Sequence, residues 1–493
     1  MKKINPSIII QAIVLSLILI WLSSCKARGV KKPEFVQLPT YRIESDRNRE
    51  GDLDYVFDLD ALPVITIEIS SNDFNTILTN FDRNPYNKEY VRADFVFDKD
   101  GKIDRFNNIG FRLRGTRGSK FRVVTGSKFY NIEKVRFFNS HFRISFNTYV
   151  ESGRFYRLRN LILKWHNQDP LYAREILCYD LFNRFGATAS RASYARVYLR
   201  IKEDGNEIAY GVHAMIEPVD RSFLLSRYDD NMGHLWQCGY PADLTKNLRR
   251  GLVGMEDPER GFRPAYDFKT HSEERGVLFQ DAKTELGNFV TNINLLEGDE
   301  FEDWITNNMD IDGFLRTYAI NVLVGSWDDY WNNANNYYIY RDSSGKWYFI
   351  PWDYDNTLGT GFNWGGGQDF STNDVFDWGR FGEPLMNKIM ARPNLRKIYS
   401  DYLTLALDKS NDIFNYKSIK TRIKKWNAMI NEYVDPSMVD TMPFSQNNSH
   451  KIEDAPFMDY DAGDINFKLL SGNETNNYII RRINSIKKQL ELQ

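Results

Sequence analysis

Alternation between apolar and polar positions is the strongest pattern in the chain between residues 64 and 217. Successive side chains of a β-strand point to opposite faces, so an alternating stretch predicts a strand with one buried face. One such stretch runs into Asp98-Lys99-Asp100-Gly101, a sequence typical of a hairpin turn. The pattern predicts strands at residues 64–69, 90–97, 109–114, 142–146, 158–163, 194–201 and 207–217.

Apolar residues at helical spacing predict two well-defined helices. Asp169 is a natural N-cap for the first, Pro170 fits its first position, and Gly186 follows its last apolar residue. The second helix begins after Asp310 and delivers the chain to Trp327. The charged, weakly periodic stretch 241–300 predicts an insertion. Further helices are predicted at residues 395–407, 417–433 and 476–490.

Residues 327–359, WDDYWNNANNYYIYRDSSGKWYFIPWDYDNTLG, combine a predicted hairpin with acidic and amide side chains. A hairpin returns its second strand beside its first, so the asparagines at its entrance should lie close to Asp353 and Asp355 at its exit. Carboxylate and amide oxygens are the ligands that Mg²⁺ bound to phosphates prefers. The segment therefore predicts a metal site. The asparagine run also fits a solvated loop, and the two aspartates also fit a capped turn.

A basic turn that contains glycine, RGTRGSK at residues 114–120, follows the third predicted strand. The backbone N–H groups of such a turn can bind phosphate. A solvated loop without a ligand has the same composition, so both interpretations stay open.

The composition is that of an ordinary globular protein. Of the 493 residues, 42% are apolar and 15% aromatic, and the net charge of −2 implies no partner such as nucleic acid. The six histidines show no metal-binding spacing, which argues against a zinc site. The two cysteines after residue 25 do not make a disulfide framework.

The N-terminus has the pattern of a signal peptide. Lys2 and Lys3 precede an apolar run at residues 8–22, which ends in Leu-Ser-Ser before Cys25. This ending resembles the lipobox of bacterial lipoproteins, where a lipid on the cysteine anchors the mature protein to a membrane. An uncleaved N-terminal anchor is the alternative. Both interpretations predict a membrane-tethered protein of the cell envelope, outside the cytoplasm, with residues 26–60 as a tether.

Five segments of the chain resemble the CotH family, the spore coat protein H type of atypical protein kinase. They are GFRLRG, DPLYAREILCYDLF, AYGVHAMIEPVD, SWDDYWNNANNYYIYRD and FIPWDYDNTLG, within residues 64–365. The resemblance implies an α+β, protein-kinase-like two-lobed fold. Its β-rich N-lobe, with one main helix, would span residues 61–225, and a connector or insertion residues 226–300. Its mainly helical C-lobe, which contains the hairpin, would span residues 301–493.

The resemblance also implies roles for the acidic and amide residues around the hairpin. Asp328 matches the catalytic aspartate, Asp353 the metal-binding aspartate, and Asn336 the metal-binding asparagine, with Asn333 as a competitor for the last role. Asp355 lies two residues after Asp353, so both carboxylates would share the ion if the segment is extended. The cofactors implied are ATP and Mg²⁺ or Mn²⁺.

Four further residues are candidates for binding the nucleotide. Glu175 matches the helix glutamate that pairs with a phosphate-binding cation, and Glu217 matches the connector beside the adenine. Arg114 opens the basic turn. Arg143 is the only cation on the strand where the family carries a lysine, and arginine is not a neutral replacement for lysine. A solvated helix face is the alternative for Glu175.

Two hypotheses of function follow. The first is a membrane-anchored CotH-type kinase that transfers phosphate from ATP to Ser or Thr of cell-envelope proteins. The second is a catalytically silent member of the fold, or a surface protein that binds glycans or proteins, with Trp364 and Trp378 stacking on sugars. Scarcity of ATP outside the cytoplasm favours the second hypothesis, and the presence of both Asp328 and Asp353 favours the first.

Overall fold

Seven strands from the first half of the chain close into a barrel in the computed structural model. The structure describes residues 51–84, 87–115, 141–166, 169, 172–205, 207–245, 253–257, 263–270, 275–359, 370–379, 382–434, 460–461, 464–465 and 477–492. The barrel strands are β1 (Val64–Ile69), β2 (Val91–Lys99), β3 (Lys102–Arg114), β4 (His141–Ser145), β5 (Asn160–Lys164), β6 (Ala192–Ile201) and β7 (Glu207–Ile216). Each contains most of a strand that the alternation predicts.

A parallel pairing closes the barrel. The strand order is β1-β2-β3-β4-β5-β7-β6, and β1 lies antiparallel to β2 and parallel to β6. The parallel pairing runs from Val64 beside Arg196 to Ile69 beside Ile201. Because every strand then has two neighbours, the barrel has no exposed strand edge.

Aromatic rings fill the core of the barrel. Phe155, from the connection between β4 and β5, is fully buried and contacts the rings of Phe95, Phe97 and Phe146 at centroid distances of 5.1, 5.0 and 5.3 Å. Edge-on and offset ring contacts of this kind add to the stabilisation from burial. In β3, β4 and β5, the side chains that alternate with these core residues therefore lie on the outer face of the barrel.

The prediction of a protein-kinase-like two-lobed fold is wrong. The structure has a closed seven-stranded barrel and a separate five-stranded sheet in place of a β-rich lobe and a helical lobe with an inserted hairpin. Local periodicity locates strands without giving their partners, and the parallel pairing of β1 with β6 joins strands that are far apart in the sequence.

The predicted hairpin forms one edge of the second sheet. Its strands β11 (Tyr337–Arg341) and β12 (Trp347–Pro351) pair antiparallel, and the sheet order is β12-β11-β8-β10-β9. The other three strands are β8 (His234–Cys238), β9 (Val253–Gly254) and β10 (Tyr266–Phe268). The stretch predicted as an insertion thus contributes β9 and β10 to this sheet. Two short strands, β13 (Tyr460–Asp461) and β14 (Asp464–Ile465), pair with each other.

Twelve α-helices complete the described part of the chain. They are α1 (Gly51–Val56), α2 (Ser71–Arg83), α3 (Arg174–Arg184), α4 (Arg221–Arg227), α5 (Arg275–Leu295), α6 (Gly298–Asn308), α7 (Ile311–Val324), α8 (Tyr330–Asn333), α9 (Pro384–Met390), α10 (Pro393–Leu407), α11 (Tyr416–Ile430) and α12 (Tyr478–Gln489). Helices α10, α11 and α12 occupy the three stretches predicted near the C-terminus. None of the helices in the described residues is long and apolar enough to span a bilayer.

Helix α3 begins later than its sequence predicts. Its first residue is Arg174, and the N-cap position is taken by Ala173, whose side chain cannot cap. Asp169 still serves the helix start, because its carboxylate accepts the backbone N–H groups of Ala173 and Arg174 at 2.8 and 2.7 Å. Pro170 and the predicted anchor residue Cys25 lie outside the described residues.

Helix α7 ends at a glycine that the chain cannot replace without strain. Gly325 has φ 65°, the left-handed region that favours glycine, and a Cβ at this position would overlap the hydroxyl of Tyr478. That hydroxyl donates to the carbonyl of Leu323 at 3.1 Å, which ties α12 to the end of α7. The turn therefore sets where the segment after α7 starts.

We predict that Gly325→Ala lowers the free energy of unfolding by roughly 2–4 kcal/mol, because it adds both backbone strain and overpacking against Tyr478. Urea unfolding at neutral pH measures the change. Gly287→Ala is the matched control: a Cβ there, within α5, meets no atom within 4 Å and should be neutral or stabilising by up to about 1 kcal/mol. Wild-type stability of Gly325→Ala would show that the turn is not constrained.

Candidate functional site

Four asparagine side chains surround the carboxylate of Asp328. Asn333 and Asn335 donate to Asp328 Oδ1 at 2.6 and 2.8 Å, and Asn336 donates to Oδ2 at 3.0 Å. A longer contact, 3.4 Å, joins the amide of Asn356 to the same Oδ2. The asparagine run before the hairpin thus orients the aspartate, and Asn356 comes from the segment after the hairpin.

Burial dominates the acidity of Asp328. Loss of solvation raises the pKa of its carboxyl to about 6, and the negative charges of Asp353 and Asp355 act in the same direction. The amide hydrogen bonds from Asn335 and Asn333 oppose this shift. The electrostatic influence of Asp353 and Asp355 on Asp328 indicates that the entrance and the exit of the hairpin meet, as the sequence predicts.

A second aspartate ties the two acidic segments together. Asp329 is buried, caps α8 by accepting the N–H of Asn332 at 2.8 Å, and also accepts from the amide of Asn321 in α7. The carbonyl oxygen of the Asn321 amide accepts from the hydroxyl of Tyr354 at 2.8 Å. Asn321 therefore bridges the segment that carries Asp328 and the segment that carries Asp353. Sequence reasoning assigned no role to Asp329 or Asn321.

One buried lysine contacts three carboxylates. Lys164 Nζ lies 2.7 Å from Glu175 Oε2 and 3.1 Å from Asp355 Oδ2, and it also contacts Asp353 Oδ1. The lysine side chain is only 5% exposed. We call Lys164, Glu175, Asp353 and Asp355 the ion cluster. It joins the barrel, helix α3 and the segment after β12 at one point.

The ion cluster has one positive charge for three acidic groups. Burial disfavours the Asp353 carboxylate, but the Lys164 ammonium and then Arg114 hold its pKa at about 2. Burial raises the pKa of Glu175 to about 7 and outweighs the attraction of Lys164, and burial also raises the pKa of Asp355. The three acidic groups therefore differ in ionisation: the ammonium keeps Asp353 ionised, whereas burial works against the ionised forms of Glu175 and Asp355.

Lys164 is the residue that sequence reasoning missed. It is the last residue of β5, one position beyond the strand predicted at 158–163. The sequence does contain a signal for it: Lys164 directly follows the apolar run Leu161-Ile162-Leu163 and precedes Asp169, the predicted N-cap, by five residues. The family resemblance instead places the phosphate-binding cation on the strand after the basic turn, which carries Arg143.

Arg143 is close to Lys164 without entering the ion cluster. It lies beside Ile162 of β5 and beside Arg112 of β3, and its charge acts mainly on Tyr90 and Asp220. Among the described residues the cation that pairs with Glu175 is Lys164. Glu175 is 5% exposed, so it does not lie on a solvated helix face.

The remaining predicted nucleotide-binding residues have different surroundings. Arg114 lies 5.6 Å from the ring centroid of Trp352, and its charge lowers the pKa of Asp353. Glu217 is buried at the end of β7, and its Oε2 lies 2.6 Å from Arg227 and 3.4 Å from Arg191. The structure therefore brings Arg114 toward the ion cluster and holds Glu217 in a separate buried ion pair.

The backbone at Asp353 differs from the extended segment expected there. Its φ of 64° is left-handed, and its N–H donates to the hydroxyl of Tyr179 in α3 at 3.2 Å. Asp353 and Asp355 reach the same lysine through a turn. Trp378, considered for sugar stacking, is 1% exposed and donates its indole N–H to the carbonyl of Ser326 at 3.1 Å. Trp364 lies outside the described residues.

The protein oxygens near the ion cluster fit a divalent metal only if phosphates and water complete its coordination. No group of three or more His, Cys, Asp or Glu side chains in the described residues is arranged to hold a metal ion. Asp353 and Asp355 supply carboxylates. The Asn336 side chain donates to Asp328 through its NH2 group, so this hydrogen bond does not occupy its amide oxygen. Mg²⁺ is usually held by one or two carboxylates together with phosphates and water. The residues therefore suit a metal that arrives with phosphates.

Comparisons with known proteins identify relatives over most of the chain. The sequence profile described as CotH kinase protein matches residues 134–455, about two thirds of the 493 residues. Spore coat protein homolog 1 of Rhizopus delemar is 23% identical over 386 residues, which cover 77% of this chain and 55% of that protein. Inner spore coat protein H of Bacillus subtilis is 25% identical over 314 residues, which cover 63% of this chain and 76% of that protein.

A further relative is named as an invasin. Invasin CotH7 of Rhizopus delemar is 23% identical over 383 residues, which cover 77% of this chain and 56% of that protein. The chain therefore spans little more than half the length of the first and third of these relatives.

We predict that Lys164→Met lowers the free energy of unfolding at pH 7 by roughly 3–5 kcal/mol, because it leaves buried carboxylates without a counter-charge. The deficit should shrink at pH 4.5. Without the lysine, the folded-state pKa values of these carboxyls lie above their unfolded values, so protonation as pH falls restores stability. Urea unfolding at both pH values, in EDTA, measures the effect.

Lys99→Met is the control for this prediction. Lys99 is equally buried but contacts one carboxylate, that of the more exposed Asp58, at 2.8 Å. Its loss should cost about 1–2 kcal/mol at pH 7. Equal losses in the two variants at pH 7, or a Lys164→Met deficit that stays constant to pH 4.5, would contradict a special role of the ion cluster.

Proposed function

The chain belongs to the CotH kinase protein family, and we propose that it transfers a phosphoryl group from ATP to a Ser or Thr hydroxyl of a cell-envelope protein. The observation that supports this most is the position of the ion cluster beside Asp328. A buried ammonium, a pair of acidic metal ligands and a separately oriented carboxylate are the parts that phosphoryl transfer requires.

Asp328 would act on the acceptor hydroxyl. Its Oδ1 already accepts two short hydrogen bonds from amides, whereas Oδ2 accepts one short bond and the 3.4 Å contact from Asn356. We assign Oδ2 as the atom that accepts the hydroxyl proton, because the long Asn356 contact is the weakest and the easiest to replace. The four asparagines hold the carboxylate in one orientation before the acceptor arrives.

The bond changes are those of an in-line displacement. The acceptor oxygen forms a bond to the terminal phosphorus of ATP, and the bond from that phosphorus to the bridging oxygen breaks. ADP leaves with the bonding electron pair, and the acceptor proton goes to Asp328. Lys164 and Arg114 would bind phosphate oxygens, and Glu175 would keep the Lys164 ammonium in place.

Mg²⁺ or Mn²⁺ would be held by Asp353, Asp355 and the Asn336 amide oxygen. When bound, the ion offsets negative charge on the phosphates. The composition of the ion cluster supports this assignment, because three acidic groups share one ammonium and a divalent cation would favour the ionised forms of the two aspartates.

The cell envelope is the proposed location. Two relatives are named as a spore coat protein homolog, in Rhizopus delemar, and an inner spore coat protein, in Bacillus subtilis, which supports an envelope location for this chain. A lipid on Cys25 would anchor this chain to a membrane through residues 26–60. The donor, the acceptor and the anchor are all parts of the proposal.

We predict that the full-length chain with labelled ATP and Mg²⁺ or Mn²⁺ transfers label to itself or to a protein acceptor. Asp328→Asn should lower the rate by at least about 100-fold, the usual size of a general-base contribution. Asp353→Asn should lower it by a similar factor, about 100-fold, because it removes a charged ligand of the metal that offsets phosphate charge. Acid hydrolysis of the labelled product should yield phosphoserine or phosphothreonine. A filter assay and gel autoradiography measure the transfer.

Asp401→Asn is the matched control, because Asp401 lies on the surface of α10 and pairs only with Lys397 among the described residues. It should leave the rate unchanged. Metal-dependent ATP binding without any transfer would replace the kinase proposal by a binding function. Transfer that survives in Asp328→Asn would remove the role given to Asp328 and leave the reaction in place.

A further inference from the structure

Two arginines lie side by side on the outer face of the barrel. Arg112 of β3 and Arg143 of β4 are direct cross-strand partners. Two residues further along the same strands, Arg114 and His141 form the next pair on the same face. Phe142 pairs with Leu163, so the following residue of β5, Lys164, lies next to His141 in the same row. The arginine pair is thus two residues, about 7 Å, along the strands from the row that contains Lys164.

Neither arginine has a carboxylate partner within the part of the chain that the structure describes. The Nε–H groups of both are buried and donate to no acceptor there, and Arg112 donates one other N–H group to the carbonyl of Leu113 at 2.9 Å. By contrast, the Arg227 guanidinium contacts the carboxylate of Glu217 directly, at 2.6 Å. Holding two half-buried guanidinium groups side by side without an anion is unfavourable, because their charges repel and are partly desolvated.

The carboxylates of this region are engaged by other groups. Asp220 acts electrostatically on Arg143, but its oxygens accept from the Asn160 amide at 2.7 Å and the Ser222 N–H at 2.8 Å. Asp267 and Glu256 both contact Lys269, and Glu256 also contacts Lys88. Among the residues that the structure describes, the cations therefore outnumber the available anions around the arginine pair.

Two neighbouring side chains indicate a positive potential at this position. Burial opposes ionisation of the Tyr90 phenol, yet Arg143 and Arg112 bring its pKa below the ordinary value. Burial, followed by the charges of Lys269, Arg112 and Arg263, lowers the pKa of Lys88 to about 6 although Lys88 contacts Glu256. A region that favours a phenolate and disfavours an ammonium attracts an anion.

We propose that Arg112 and Arg143 form a second phosphate subsite, which takes one phosphate group of a polyphosphate chain whose other end lies at Lys164. This inference rests on the proposed function in that ATP or a related nucleoside polyphosphate supplies the chain. Two guanidinium forks match phosphate oxygens, and the separation of the two rows suits a short extended chain.

The experiment measures binding rather than transfer. The full-length protein with Mg²⁺ is titrated with inorganic tripolyphosphate, orthophosphate and adenosine by calorimetry. Tripolyphosphate should bind at least about tenfold more tightly than orthophosphate, because it reaches both subsites. Equal binding of the two would overturn the proposal without any substitution.

Variants then locate the subsite. Arg143→Met and Arg112→Met should each weaken tripolyphosphate binding about tenfold or more, and Arg143→Lys should weaken it less. Arg105→Met is the control, because Arg105 lies on the same strand β3, is about half exposed and pairs with Glu68. Unchanged tripolyphosphate binding in folded Arg143→Met, or adenosine binding that falls in this variant, would overturn the subsite. Arginine-dependent tripolyphosphate binding by a protein that shows no transfer would refute only the proposed function.

Discussion

The contact of the buried Lys164 with the buried Glu175 and the half-buried Asp353 and Asp355 is the constraint on which the site depends. A buried ammonium and buried carboxylates are stable only when they lie together, because each alone would have to give up its hydration. This requirement fixes β5 of the barrel, the start of α3 and the turn after β12 relative to one another. Asn321 adds a second link, since it binds both Asp329 and Tyr354 and so fixes the segment of Asp328 against the segment of Asp353.

Local sequence patterns predict the parts of this arrangement better than their assembly. The alternation of residues 64–69 and the cap at Asp310 depend on short-range chemistry, and the structure has β1 and α7 at these places. The hairpin after Asn336 follows from turn residues in the same way. The closure of the barrel by β1 and β6 depends on a long-range pairing that no local period encodes. For the same reason the prediction of a two-lobed fold is wrong, although the sequence locates most of the strands correctly.

The candidate site shows the same division. Asp328, Asn336 and Asp353 are adjacent to a hairpin, so their proximity follows from its geometry. Lys164 was missed because its position depends on where β5 ends, and the ends of elements are the least certain part of a prediction from sequence. Glu217 was placed beside a nucleotide by resemblance alone, and its burial against Arg227 could not be read from the sequence around it.

The barrel face carries different charged groups at its two ends. At one end, Lys164 faces three acidic groups, and two of these, Asp353 and Asp355, suit a divalent cation. At the other, Arg112 and Arg143 have no carboxylate partner among the described residues, so that end is positive. A nucleobase, which is neutral and flat, would neutralise neither end, whereas a phosphate chain with its metal would neutralise both. The phosphates of the donor, more than its base, should therefore supply most of the electrostatic binding energy in this protein.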